Sequence, residues 1–144
     1  MDPKERTTLA AQFERHADEE GKILAEYRVL AEKLGNSSAG NLVSHILTEE
    51  ELHHLLLRTL ATWMRAASTE HERAIPPEAD RAELLRLTRI LRKHEIETVD
   101  ACRGTKARLS GTDDELVGTL LDAMVMDSEK HHRLLGAVEQ LLTK

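Results

Sequence analysis

Two histidine pairs carry the most chemical information in this chain. Thr48-Glu49-Glu50-Glu51-Leu52-His53-His54 is answered 78 residues later by Met126-Asp127-Ser128-Glu129-Lys130-His131-His132. With the His-His pairs overlaid, Glu51 falls on Glu129, Leu56 on Leu134 and Leu57 on Leu135. In each copy a carboxylate stands three residues before a histidine inside a helix-forming run. Residues at that spacing share a helix face one turn apart, so one cation can take an oxygen from the first and a nitrogen from the second. A carboxylate and imidazole donor set suits iron, manganese or zinc. One such pair says little; two, in matching halves of one chain, direct attention to a metal.

The elements that must present these donors are four long amphipathic helices. The first is expected over about residues 3–34, on the stripe Leu9, Phe13, Ile23, Tyr27, Leu30 and Leu34. His16 and Glu20 fill the gap in that stripe, and a core-facing glutamate among apolar residues is costly without a partner. The second helix is expected over about 41–67, after the breaker run Gly35-Asn36-Ser37-Ser38-Ala39-Gly40. On its apolar face Glu50 lies near the centre with His53 and His54 to either side, whereas Glu51 points away. Glu50 with His53 is therefore the expected ligand pair.

A linker over 68–80 contains Pro76-Pro77, which helix does not tolerate. Its length allows either a long crossover between parallel helices or a loose turn in an up-and-down bundle. The third helix is expected over about 81–109 on Leu84, Leu87, Leu91, Cys102, Thr105 and Leu109, with His94, Glu95 and Thr98 in the middle and Glu97 to one side. Ser110-Gly111-Thr112-Asp113 reads as a turn, with Thr112 or Asp113 as helix cap. The fourth helix is expected over about 114–142. The face that selects Glu50 and His53 in the second helix selects Ser128 and His131 here; Glu129 with His132 lies off the centre of the stripe. The four groups fall at a common mid-length level: His16 and Glu20, Glu50 and His53, His94 and Glu95, Ser128 and His131.

Composition supports an all-α domain and narrows the function. At 144 residues the chain is one domain of ordinary size, and with three aromatic residues its core must be mainly aliphatic. A net charge of −6 and the lack of any Lys/Arg stripe interleaved with aromatics argue against nucleic acid. The single Cys102 excludes an internal disulfide and any four-cysteine knuckle. The charged N-terminus lacks a signal-peptide core, and no run of 18 apolar residues occurs, so a cytoplasmic protein without membrane contact is expected.

On these residues the chain resembles the rubrerythrin branch of the ferritin-like superfamily over essentially its whole length. The family pattern is Glu on the first helix, Glu-x-x-His on the second, Glu on the third and Glu-x-x-His on the fourth. Glu20, Glu50 with His53, Glu95 and His131 match these positions, with His16, His94, Glu97, Glu129 and His132 as further candidates. Tyr27 stands where such proteins often carry a tyrosine and is a candidate hydrogen-bond donor to a ligand carboxylate. The resemblance implies a ferritin-like four-helix bundle of two similar hairpins, holding two metal ions, iron first and manganese or zinc as alternatives. It further implies an oxidoreductase acting on peroxide, or on O2 with Fe(II), served by an external electron donor because the rubredoxin-like module is absent. Ser128 departs from the pattern where a bridging glutamate belongs, and Thr98 stands where a second glutamate sometimes occurs. These departures keep open a metal-sequestering or non-catalytic scaffold. The spacing of Glu20, Glu50 and His53 is also similar to that of encapsulated ferritins, in which two-helix subunits pair, and a homodimer is expected.

Overall fold

A computed structural model describes residues 1–66, 75–109 and 115–144. Among the described residues it contains four helices, α1 (Pro3–Leu34), α2 (Ser38–Arg65), α3 (Arg81–Arg108) and α4 (Glu115–Thr143), and no strand. The chain divides into two compact units, Met1–Ala74 and Ile75–Lys144. In the first α1 packs on α2, and in the second α3 packs on α4. The expected all-α class and its two helical hairpins are thus present.

Local chemistry sets the helix ends. Asp2 caps α1 with a full capping box: its carboxylate accepts from the Lys4 amide, and the Glu5 carboxylate accepts from the Asp2 amide, with Pro3 at the first helical position. Asp80 caps α3 by accepting from the Glu83 amide at 3.1 Å. Such caps contribute about 1 kcal/mol each. The chain reverses between α1 and α2 through Gly35, whose φ of +55° suits glycine.

The turn is shorter than its composition suggests. Ser37 caps α2 by accepting from the Gly40 amide at 3.0 Å, so Ser38, Ala39 and Gly40 are already helical rather than loop. Gly40 is buried against the turn it follows: a Cβ there would lie 2.1 Å from the Gly35 carbonyl oxygen. The glycine read as a breaker is instead a close-packing residue. Helix α2 also ends at Arg65, two residues before the expected boundary, and α3 at Arg108. The 110–113 turn and most of the 68–80 linker lie outside the described residues, and Ile75–Asp80 leads directly into α3.

Each hairpin closes on small side chains. In the first, the buried positions of α1 are Ala10, Ala17 and Leu24, seven residues apart, and those of α2 are Gly40 and Ala61. A seven-residue repeat keeps one seam facing one neighbouring helix. The seam lies beside the apolar stripe expected from sequence rather than along its middle. Phe13, Glu20 and Tyr27 are half-buried at its flank, while Ile23 and Leu30 stay 45% and 46% exposed. The same holds in α3, where Thr88, Val99 and Cys102 are buried but Leu87, Leu91 and Thr105 are exposed. The 78-residue offset between the histidine pairs also relates buried Ala10 to Thr88 and Leu24 to Cys102, so the two hairpins repeat one plan.

Matching arginines close the open ends. In the first hairpin Arg6 donates to the Trp63 and Ala66 carbonyls, at 3.1 and 2.5 Å. In the second, Arg81 donates to the Leu142 carbonyl at 3.1 Å. Each places a cation at a helix C-terminus, where free carbonyls and the helix dipole favour it. Among the described residues no helix is long and apolar enough to cross a membrane.

Candidate metal centre

The first hairpin brings four donor side chains into a row at mid-length. On α1, His16 Nε2 lies 3.5 Å from Glu20 Oε1, one turn further on. On α2, His53 Nδ1 lies 3.7 Å from Glu50 Oε2. Across the seam Glu20 stands near enough to Glu50 to raise the pKa of its carboxyl. The order is therefore His16, Glu20, Glu50, His53: two acids in the middle with an imidazole at each end. The acids are the more buried members, with side-chain exposures of 18% and 23%, against 58% for His16 and 52% for His53.

This placement follows from the seam. Glu20 is three residues after buried Ala17, and Glu50 sits on the face of α2 that turns to α1, so both acids enter the rim of the small-residue contact. His54 follows on the same face, half-buried and packed near Gly21: a Cβ on Gly21 would lie 3.5 Å from the His54 ring. Glu51 turns outward to Arg28, 3.4 Å away, as the periodicity indicates. Tyr27 is half-buried two turns along from Glu20.

The electrostatics of the pair are unfavourable as they stand. Burial raises the Glu50 pKa above its ordinary value, the hydrogen bond and charge of Glu20 raise it further, and His53 only partly opposes them. Glu20 Oε2 is buried, and among the described residues no donor reaches it. A buried acceptor without a donor is destabilising unless something cationic or protic meets it. No three of these four side chains bring ligand atoms within 4.8 Å of one another, so the row is two separate nitrogen–oxygen pairs and not a closed cation cage.

The second hairpin repeats the plan with different residues. Glu95, 17% exposed, lies 3.5 Å from His131 Nδ1. Ser128, the counterpart of Glu50, is buried, and Thr98, the counterpart of Glu20, is half-buried. Both central acids of the first hairpin are thus replaced by hydroxyls. The other candidates of this half lie elsewhere. Glu97 is exposed and pairs with Lys93 at 3.6 Å, Glu129 pairs with Arg103 at 2.8 Å, and His94 is exposed. His132 is half-buried and accepts at Nε2 from Arg92 at 3.2 Å. An arginine only donates, so this contact fixes the His132 tautomer with its proton on Nδ1.

That last contact belongs to a network not foreseen from sequence. Arg92 and Arg89 both donate to Glu139, at 2.5 and 2.9 Å, and hold its carboxyl below its ordinary pKa. Glu139 follows His132 by two turns on α4, and Arg92 stands opposite on α3, so charged residues at seam-facing positions were the available signal. In the first hairpin the corresponding strap joins Arg65 and Glu14, which lowers the Glu14 pKa.

No family model matches the chain, and no curated protein or solved structure shows significant similarity to it.

Proposed function

We propose that the chain is a ferritin-like, non-haem di-metal protein that reduces peroxide or oxidises Fe(II) with O2, with iron the first candidate metal and manganese or zinc the alternatives. The observation that carries this reading is the Glu20–Glu50 pair, two partly buried acids near enough for Glu20 to raise the Glu50 pKa, with an imidazole beside each. Burial and the neighbouring Glu20 make Glu50 resist ionisation, and divalent cations would convert that repulsion into ligation. In this reading Glu20 and Glu50 neutralise the ions and His53 completes a coordination shell. Glu95 and His131 offer the second hairpin's carboxylate and imidazole.

Bound metal would supply the electrons and the open coordination positions. The chain's part is to fix the donors and balance their charge, with the imidazoles neutral so that a ring nitrogen can ligate. Reducing peroxide to two waters consumes two electrons and two protons. An external donor is therefore part of the proposal, since Cys102 alone cannot build a cysteine-ligated electron-transfer module. A homodimer fits the same chemistry. Two copies of the first hairpin would bring together two each of Glu20, Glu50 and His53, supplying the acids that Ser128 and Thr98 do not.

The test is metal content after expression in iron- or manganese-supplemented medium, followed by peroxide turnover with a surrogate electron donor. About two ions per chain, lost in Glu50→Ala, support the reading. No retained metal, and a melting temperature unmoved by Fe(II), Mn(II) or Zn(II), would refute it. The replacement of both central acids in the second hairpin favours one further reading, a metal-sequestering bundle or scaffold without turnover. Metal retention without peroxide or Fe(II) oxidation activity would select sequestration.

A further inference from the structure

We infer that the groove between α3 and α4 is a binding site for a phosphate group, free or carried by a small organic molecule. The inference stands on the second hairpin and needs no metal. The groove encloses about 600 Å3, and its lining includes three cations, Arg89, Arg92 and Lys93, two acids, Glu97 and Glu139, and His132. That volume is in the range of small-molecule sites. Helix α3 as a whole carries eight lysines and arginines against four acids, on a chain whose net charge is −6.

Two donors of this lining lack an acceptor. Arg92 gives its two amino groups to Glu139 and His132, but among the described residues nothing accepts from its buried Nε. His132, with Nε2 facing Arg92, carries its proton on Nδ1, which is buried and equally without a partner. Buried donors left open cost stability until an acceptor meets them. Arg89 gives Glu139 one N–H, from Nε, and Lys93 stands 3.6 Å from Glu97 with both side chains mostly exposed. The lining thus has donors to spare after its ion pairs are made. An oxyanion with several acceptor oxygens answers them, and the guanidinium fork suits a phosphate group.

The first hairpin supplies an internal contrast. The 78-residue offset sets Glu14 against Arg92 and Ala61 against Glu139, and the corresponding groove there carries Glu14 and Asp18 with Arg58 and Arg65, two charges of each sign. Glu14 already holds Arg65. The counterpart of Arg58 is Gly136, where a Cβ would stand 3.6 Å from the Arg92 guanidinium. A long side chain there would crowd Arg92; glycine leaves it room to reach His132 and Glu139 together.

The experiment is isothermal titration of the full-length chain, dialysed free of metal, with inorganic phosphate and separately with glycerol phosphate, at constant ionic strength. Arg89→Gln, Lys93→Gln, Glu139→Gln and, in the first hairpin, Arg58→Gln are compared with the parent, and circular dichroism establishes that each is folded. The Arg89 and Lys93 side chains are 61% and 79% exposed, so removing either charge leaves the fold in place. The expected result is one phosphate group per chain, bound about tenfold more weakly by Arg89→Gln, less weakened in Lys93→Gln and unchanged in Arg58→Gln. Glu139→Gln should bind more tightly, because it removes the carboxylate that competes for Arg89 and Arg92. In 1H–15N spectra the Arg92 Nε–H resonance should move with the same midpoint. Either order of affinity for the two compounds supports the site and tells a free ion from an organic phosphate. No saturable binding of either compound, or Arg89→Gln binding as the parent does, would overturn the inference. So would an Arg58→Gln variant that loses as much as Arg89→Gln, since the effect would then be a general attraction of anions to cations.

Discussion

Replacing Glu50 by glutamine should make the metal-free protein more stable and the metal-binding protein worse. Glutamine keeps the shape and removes one of two adjacent charges. Two unit charges about 4 Å apart repel by about 1 kcal/mol in water and about 4 kcal/mol at an effective dielectric of 20. With Glu20 and Glu50 at 18% and 23% side-chain exposure, the pair lies between these limits. The flanking imidazoles offset part of the repulsion. The expected gain for Glu50→Gln at pH 7 is therefore about 1–2 kcal/mol, or about 3–6 °C in melting temperature for a chain of this size.

The sign of the pH dependence is fixed by the direction of the Glu50 shift. Its pKa is raised in the fold above the ordinary 4.5, so the fold disfavours the charged form. Stability linked to Glu50 is greatest below 4.5 and falls as pH rises through the raised value. The advantage of Glu50→Gln should accordingly be full at neutral pH and vanish once the pH is below the unfolded value. Urea unfolding of both proteins in chelator, at pH 7 and pH 4, measures this directly. A variant that is less stable than the parent at pH 7, or an advantage of equal size at both pH values, would refute the account of two acids held in unfavourable contact.

Four further substitutions probe the frame around the site. Gly40→Ala should cost about 1–3 kcal/mol in urea unfolding, because its Cβ would meet the Gly35 carbonyl at 2.1 Å and only backbone movement relieves that. Gly104→Ala, with nothing within 4 Å, should instead stabilise by about 0.5–1 kcal/mol and serves as its control. Arg81→Ala should lose about 0.5–1.5 kcal/mol and speed amide exchange near the end of α4, since Arg81 holds the Leu142 carbonyl. Ser128→Glu should lower metal-free stability by about 1–3 kcal/mol, because it buries an acid at a position that is 6% exposed, one turn before His131. Added Co(II) or Mn(II) should restore much of that loss, as a thermal melt would show; no recovery would mean that the second hairpin does not take a metal there.

The helices were legible because their signals are local. Asp2 followed by Pro3, and Asp80 before an amphipathic run, mark helix starts through hydrogen bonds made within one turn. Periodicity likewise placed Glu50 toward the seam and Glu51 toward Arg28, since a single helix fixes the angle between neighbouring side chains. Gly40 reads as loop in the sequence because glycine breaks helices on average, whereas its value here is to let the turn at Gly35 approach closely. Hydropathy points Ile23, Leu30, Leu87 and Leu91 to a core, yet the seams run on Ala10, Ala17, Leu24 and Cys102. Hydropathy registers how apolar a face is, not how near the next helix can come, and small residues win that approach.

For the candidate centre the division is similar. Sequence alone determined the donor types, their one-turn spacing and the 78-residue repeat that sets Ser128 against Glu50. Only the tertiary structure decided that Glu20 meets Glu50 across the first seam, that His16 stands beside Glu20, and that His132 is held by Arg92 instead of joining Glu129. Spacing within a helix is set by covalent geometry and backbone hydrogen bonds, so residue numbers encode it. Which side chains touch across two helices depends on the depth and rotation at which the helices pack, and those are properties of the assembled hairpin.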